Sequence, residues 1–220
     1  MKEYFSLLKR TDLFLYVEEA EIEELLICLD GKISSYDKGE FIYREGTLPV
    51  RAGLILEGSV HIIKEDFWGN RSILSEVGKA GMFGETYSCL GGESLGVSVE
   101  AAEDCKCLFL DFQKMLAMVE QGPVRQSQIV FNLIRILAGK NLFLTKKMEY
   151  ISQRSTRQKL LAYLSEQSRS VGNPEFYIPF NRQQLADFLA VDRSAMSAEL
   201  SKLRKEGVLD YRKNWFLLKE

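Results

Sequence analysis

The hydrophobic period of this chain changes twice, and those changes constrain its fold more than any other feature. From Ile33 to Leu110 apolar and polar residues alternate in short runs, FIYRE, GLILEG, VHIIKE, RSILSEV, GVSVEA and CKCLFL. The turn signals DKGE, EGTLP, WGN and GKAG divide them. Alternation at every second position lines one face of a strand, so runs this short and regular predict a compact β-roll, barrel or sandwich. Before them, Leu7, Leu8, Leu13, Phe14, Ile22, Leu25, Leu26 and Leu29 repeat at helical spacing, and Gly31 is a stop. Near Asp111 the period becomes helical again, in FQKMLAMVE, which Gly122-Pro123 closes.

The next segment, from about Val124 to Ser152, holds no breaker except Gly139 and is far longer than an average helix. Val130, Ile134, Leu137, Asn141, Leu144, Met148 and Ile151 fall on a and d positions of a heptad. β-Branched or flexible residues and one Asn at a, with leucine at d, are the pattern of a parallel two-stranded coiled coil. Phe131, Leu133, Ile136, Leu142 and Phe143 form a second apolar face. A helix apolar on both sides is expected to pack on its own β-domain with one and on a second copy with the other.

The chain carries a net charge of −2, unevenly spread. Residues 151–220 hold 12 Lys/Arg against 8 Asp/Glu, and residues 1–150 hold 17 against 23. A basic end on an acidic body suggests a polyanion partner for that end alone. There, STRQKLLAYLSEQS reads as an amphipathic helix and VGNPEFYIPF as a loop. NRQQLADFLAVDRSAMSAELSKLRKEG then parses as two helices and a tight turn. Asn181 caps the first and Asp192 the second, Ala190-Val191 turns the corner, and Gly207 sits where a left-handed residue belongs. VLDYRKNWFLLKE adds a β-hairpin or wing.

This is the pattern of a helix-turn-helix, whose second helix enters the major groove of double-stranded DNA. Its outward residues would be Arg193, Ser194, Ser197, Ala198 and Ser201. Arg193 alone of these can take guanine O6 and N7 together. Arg182, Lys202, Arg204 and Lys205 suit phosphates, which position the protein without specifying sequence.

Several other functions find no support. Cys28, Cys89, Cys105 and Cys107 form no CxxC pair, and His61 is the single histidine, so neither a zinc site nor a metal-dependent catalytic site can be written. GxSxG, HExxH and phosphate-loop motifs do not occur, and no enzyme is expected. All four cysteines read as reduced packing residues; a redox role for Cys105 and Cys107 is the sharper alternative. No apolar run approaches a membrane span and Lys9, Arg10 and Asp12 interrupt the start, so a cytoplasmic protein is expected.

Taken together, YDKGEFIYREG, GLILEGSVHI, GKAGMFGE, the long helix, RQKLLAYL and the helix-turn-helix run resemble the cAMP receptor protein/fumarate-nitrate regulator (CRP/FNR) family of bacterial transcription factors. The resemblance implies an α+β chain with an N-terminal double-stranded β-roll, jelly-roll-like and of the cyclic-nucleotide-binding type, over residues 1–122. A central dimerisation helix (123–152) and a winged helix-turn-helix (153–220) follow. It further implies a homodimer on a palindromic promoter site, with RNA polymerase as a further partner. Arg193 falls on the family's base-reading arginine, and Ser194 and Ser197 on its neighbours. Ala198 stands where many members carry a second arginine, so the operators of well-known members are not expected to transfer.

The resemblance is weakest at the effector. Gly84-Glu85 match the family's cyclic-nucleotide cassette, but Leu95-Gly96 occupy the place of its phosphate-binding Arg-Ser, and Leu142 and Phe143 the place of its purine-facing hydroxyls. An unpaired phosphate against an apolar wall is costly, and Arg71, Lys79 and Lys106 are not placed there by any pattern. No cofactor and no cyclic nucleotide is therefore expected. The pocket, lined by Ile62, Leu74, Phe83, Gly84, Glu85, Leu95, Gly96, Val97, Leu142 and Phe143, suits an unidentified small apolar or aromatic effector, as in the halogenated-phenol sensors of the family; equally, it could be without a ligand. The competing reading is an effector-binding roll with a helical interaction tail that does not recognise specific DNA.

Overall fold

The computed structural model describes residues 2–48, 51–65, 67–68, 71–121 and 127–219, which form two compact units, Met1–Gly139 and Lys140–Glu220. In the first, a 3-10 turn (Lys2–Tyr4), α1 (Phe5–Leu8) and α2 (Glu19–Cys28) lead into β1 (Lys32–Tyr36), β2 (Phe41–Tyr43), β3 (Ala52–Glu57), β4 (Val60–Glu65), β5 (Arg71–Val77) and β6 (Met82–Phe83). Then come α3 (Glu85–Leu90), β7 (Ser98–Ala101), β8 (Cys105–Leu110) and α4 (Phe112–Gln121). The strands form two four-stranded antiparallel sheets, ordered β1-β8-β3-β6 and β2-β7-β4-β5.

The first sheet is covered on both faces, which explains why β3 and β8 read as nearly continuous apolar runs. Leu54 and Leu56 of β3, with Leu108 and Leu110 of β8, pack against the helices. Ile55, Cys105, Cys107 and Phe109 point the other way, into the roll. Alternation thus persists, with each face finding its own core. Cys105 and Cys107 share the roll side, their sulfurs 4.0 Å apart, and burial pushes both thiols up.

Within the roll, Tyr36, Tyr43, Phe83 and Phe109 meet edge-to-face with centroids 5.9–6.3 Å apart, the geometry favoured by aromatic quadrupoles. The Phe83 ring lies directly on the backbone of Gly53, where an added Cβ would stand 2.1 Å from it. Only glycine admits this approach.

The long helix, α5 (Ser127–Ile151), begins in this unit and closes its core. Ile129 and Leu133 are buried, and Ile136 packs beside them. Between them Asn132, 1% exposed, donates to the carbonyls of Leu13 and Leu15 at 2.9 and 2.8 Å and accepts from Gln128. Phe131, expected on the packed face, instead turns outward beside the Arg135 guanidinium. It lies two positions past Ile129, on the opposite side of a 3.6-residue helix. The Gly122-Pro123 stop lies outside the described residues.

In the second unit, α5 is followed by α6 (Thr156–Val171), β9 (Glu175–Tyr177), α7 (Arg182–Phe188), α8 (Arg193–Lys205), β10 (Leu209–Arg212) and β11 (Trp215–Leu218). The segment VGNPEFYIPF, read as a loop, contributes β9, which pairs with β11 so that the wing is a three-stranded sheet, β10-β11-β9. Phe176 of β9 stacks on Phe216 of β11, and both are buried. Leu160, Leu164, Leu185, Met196, Leu200 and Leu203 complete this core.

Replacing Asn132 by Ala leaves two enclosed carbonyls without a donor. Urea denaturation is expected to show a loss of about 2–3 kcal/mol. At the exit of α2, Arg51 hydrogen-bonds Asp30 at 2.6 Å and, with Lys32 and Lys114, holds its carboxyl down at about 2. This folded pKa lies below the unfolded value of about 3.9, so the stabilisation is full above that value and lost as pH falls through the folded one. Stability curves of the native chain and Asp30→Asn should converge between about pH 4 and pH 2.

Candidate nucleic-acid interface and effector region

The two interface helices are set by their caps. The Asn181 side chain accepts from Gln184 N–H at 3.0 Å, and the Gln184 side chain accepts from Asn181 N–H at 2.8 Å, a reciprocal capping box at the start of α7. Asp192 accepts from the Ala195 N–H at 2.8 Å at the start of α8. The Ser194 hydroxyl and that amide hold its carboxyl below the usual range. Between the helices Ala190 adopts a left-handed φ of 49°, and Val191 N–H donates to Ala186 carbonyl at 3.0 Å. Small, buried Ala186 permits the crossing. From α6, Lys159 donates to the carbonyls of Leu189 and Ala190, and Arg157 pairs with Glu199 and Glu206 of the α8 segment.

With Met196, Leu200 and Leu203 buried, helical geometry puts Ser194, Ala198, Ser201 and Lys205 at the centre of the outward side of α8. Arg193 and Ser197 occupy one flank and Lys202 the other; Ser197 is half-buried and the rest are exposed. Arg193 lines a groove of about 560 Å³ together with Asn181, Arg182, Gln183 and, from the wing turn, Lys213 and Asn214. Three cations from three elements therefore converge on one concavity.

Two arginines expected at phosphates have other contacts. Arg182 is half-buried, its guanidinium 4.8 Å from the Tyr211 ring and 5.1 Å from that of Phe216. Burial there presses its pKa downward. Arg204 pairs with Asp210 at 2.8 Å. Lys213 and Asn214 were legible only as turn residues, since nothing in the spacing tells which way a wing turn points.

In the first unit, Gly84 has a left-handed φ of 72° and opens α3, with Glu85 buried in its first turn. Burial and the neighbouring Glu85 push the Cys89 thiol up to about 11. Phe83 and Leu95 are buried, Ile62 and Val97 are half-buried, and Leu74 is about half exposed. Gly96 N–H donates to the Tyr87 hydroxyl at 3.3 Å, and its carbonyl accepts from Lys64 at 2.8 Å. Lys106 is held by Tyr4 and Glu57, at 3.1 and 3.3 Å. His61 lies on β4, 4.0 Å from Glu76. In the second unit Leu142 and Phe143 are more than half exposed, with Phe143 tilted against Phe188 at 6.0 Å.

Comparison with known proteins agrees with this division. Residues 33–122 match the family model of the cyclic nucleotide-binding domain, and residues 158–220 match the Crp-like helix-turn-helix domain. A probable transcriptional regulator, flp, of Lacticaseibacillus casei is 27% identical over 113 residues, covering 51% of this chain and 48% of that protein. The match thus spans about half the length of that relative.

Solved structures share the fold. CprK in complex with OCPA aligns with a TM-score of 0.71 at 16% identity, over 91% of each chain. The c-di-GMP responsive regulator CLP of Xanthomonas campestris gives 0.63 at 18%, over 92% of this chain and all of that one. The catabolite activator protein of Thermus thermophilus gives 0.51 at 24%, over 96% and 94%. With a cyclic-nucleotide-binding-type roll followed by a Crp-like DNA-binding helix-turn-helix, the chain belongs to the CRP/FNR family of transcription regulators.

Proposed function

We propose that this chain is a sequence-specific transcription regulator that binds a palindromic DNA site as a homodimer. The observation that carries the reading is the groove where Arg182, Arg193 and Lys213 converge beside the exposed edge of α8. A concave basic surface next to a helix of small outward side chains suits a phosphate strand with base edges beside it. Arg193 is the proposed base reader, flanked by Ser194, Ser197, Ala198 and Ser201. Lys202 and Lys213 are the proposed phosphate contacts, while Arg182 braces the wing through its aromatic stack.

The proposed dimer contact is α5, in the helix assigned to residues 123–152. Ile134 and Leu144, each 57% exposed, and Met148, 66% exposed, lie on its heptad with Asn141, while Val130 and Leu137 also touch the first unit's core. Three large apolar side chains left in water along one heptad support a second helix as their cover.

The proposed effector is a small molecule other than a cyclic nucleotide. Leu95 is buried where the family's cassette has arginine, and Lys106, one of three cations that could have answered a phosphate, is held elsewhere. An apolar or aromatic effector fits Ile62, Phe83, Leu95 and Val97 better than an anion does.

Titrating a random duplex against salt is expected to weaken binding at least about tenfold between 50 and 200 mM, as counterion release requires. Arg193→Ala should cost roughly 5- to 150-fold on a selected site and much less on random DNA; equal losses would make it a phosphate contact only. Native mass spectrometry of the intact chain should give a dimer, with any retained effector as added mass. Leu144→Glu should give the monomer, because two like charges would face each other across the seam.

A further inference from the structure

We infer that α8 reads a single G·C pair in each half-site and otherwise A·T pairs, because its serine hydroxyls are fixed as acceptors and Ala198 offers only a methyl group. The inference rests on the DNA-binding reading above and specifies which sequences that surface accepts.

A hydroxyl has one proton, and each of the three outward serines has already committed it. Ser194 donates to the Asp192 carboxylate, which is held ionised and can only accept. Ser197 donates to the Arg193 carbonyl at 2.8 Å, and Ser201 to the Ser197 carbonyl at 3.0 Å. Tyr211 stands 3.3 Å from Ser201 and, with the Ser201 proton taken, donates to it. What these side chains present to DNA is lone pairs. Ala198, exposed between Ser194 and Ser201 along the helix, presents a methyl group. From Arg193 to Ser201, the guanidinium of Arg193 is the one strong donor of the outward face.

The major groove has a matching inventory. Guanine shows two acceptors, which Arg193 can take together; adenine and cytosine show an amino donor; thymine adds a methyl group. An A·T pair alone offers a donor for a serine lone pair and a methyl for Ala198. Cytosine can meet a serine lone pair as adenine does, but its partner guanine still turns O6 and N7 into the same groove toward Ser197, Ala198 and Ser201, which cannot donate, leaving buried acceptors unpaired. Ser197 and Ala198 lie one turn past Arg193 and Ser194, about 6 Å along the axis, a reach of one or two base pairs.

The test is selection of bound duplexes from a randomised library by the full chain, followed by affinity measurements on the selected site. The expected half-site contains one invariant G·C pair beside A·T pairs. Deoxyuridine in place of thymine there, which removes only the methyl group, should weaken the native chain about fourfold and leave Ala198→Gly unchanged. Ala198→Arg should recruit a second invariant G·C pair. A native half-site with two invariant G·C pairs under α8, or indifference to deoxyuridine, would overturn the inference. Salt-sensitive binding with no enriched sequence would overturn the inference together with the sequence-specific part of the reading above, leaving non-specific DNA binding alone. Binding insensitive to salt would overturn both.

Discussion

One helix has more apolar surface than its own chain covers, and much of the structure follows from that imbalance. Ile129, Leu133 and Ile136 of α5 close the core of the first unit, while Ile134 and, further along the helix, Leu144 and Met148 are exposed. Asn132 fixes which side faces inward. Its two bonds to the Leu13 and Leu15 carbonyls are satisfied in one rotation of the helix, and a slip of one residue would leave those carbonyls without donors. A polar residue thereby sets the orientation that hydrophobic burial, which is non-directional, leaves open.

The roll pairs a glycine-glutamate corner with an apolar stretch that follows it. At the corner Gly84 is left-handed and Glu85 is buried. The second half is apolar, with Leu95 turned inward and Gly96 tied to Tyr87 and Lys64. Beside it, four aromatic rings fill the interior edge-to-face.

Much of this was legible in the sequence, for reasons that differ by element. The caps at Asn181 and Asp192, the Ala190 corner and the Gly207 stop are local signals, and local signals survive without knowledge of tertiary contacts. Strands β3 and β8 are legible as short apolar runs bounded by turn residues, although both of their faces are covered. By contrast, β9 has three residues and is made by its partner β11, so its own sequence reads as loop. Phe131 misled because two apolar faces on one helix leave the choice between them to contacts far away in sequence. Arg182 is half-buried against Tyr211 and Phe216, a contact across elements that its local spacing does not reveal, while Arg204 stays exposed and pairs with Asp210 just past the end of α8.

Pairing of β9 with β11 has a consequence for the order in which this protein can be built. The strand that completes the wing is made almost forty residues after the one it pairs with, and α7 and α8 lie between them. During synthesis the roll can close as soon as β8 has left the ribosome. The helix-turn-helix then waits, with Phe176 lacking the ring it stacks on, until Trp215–Leu218 has emerged. The sheet that backs the helix-turn-helix is therefore completed only with Trp215–Leu218, after α7 and α8 have already been made.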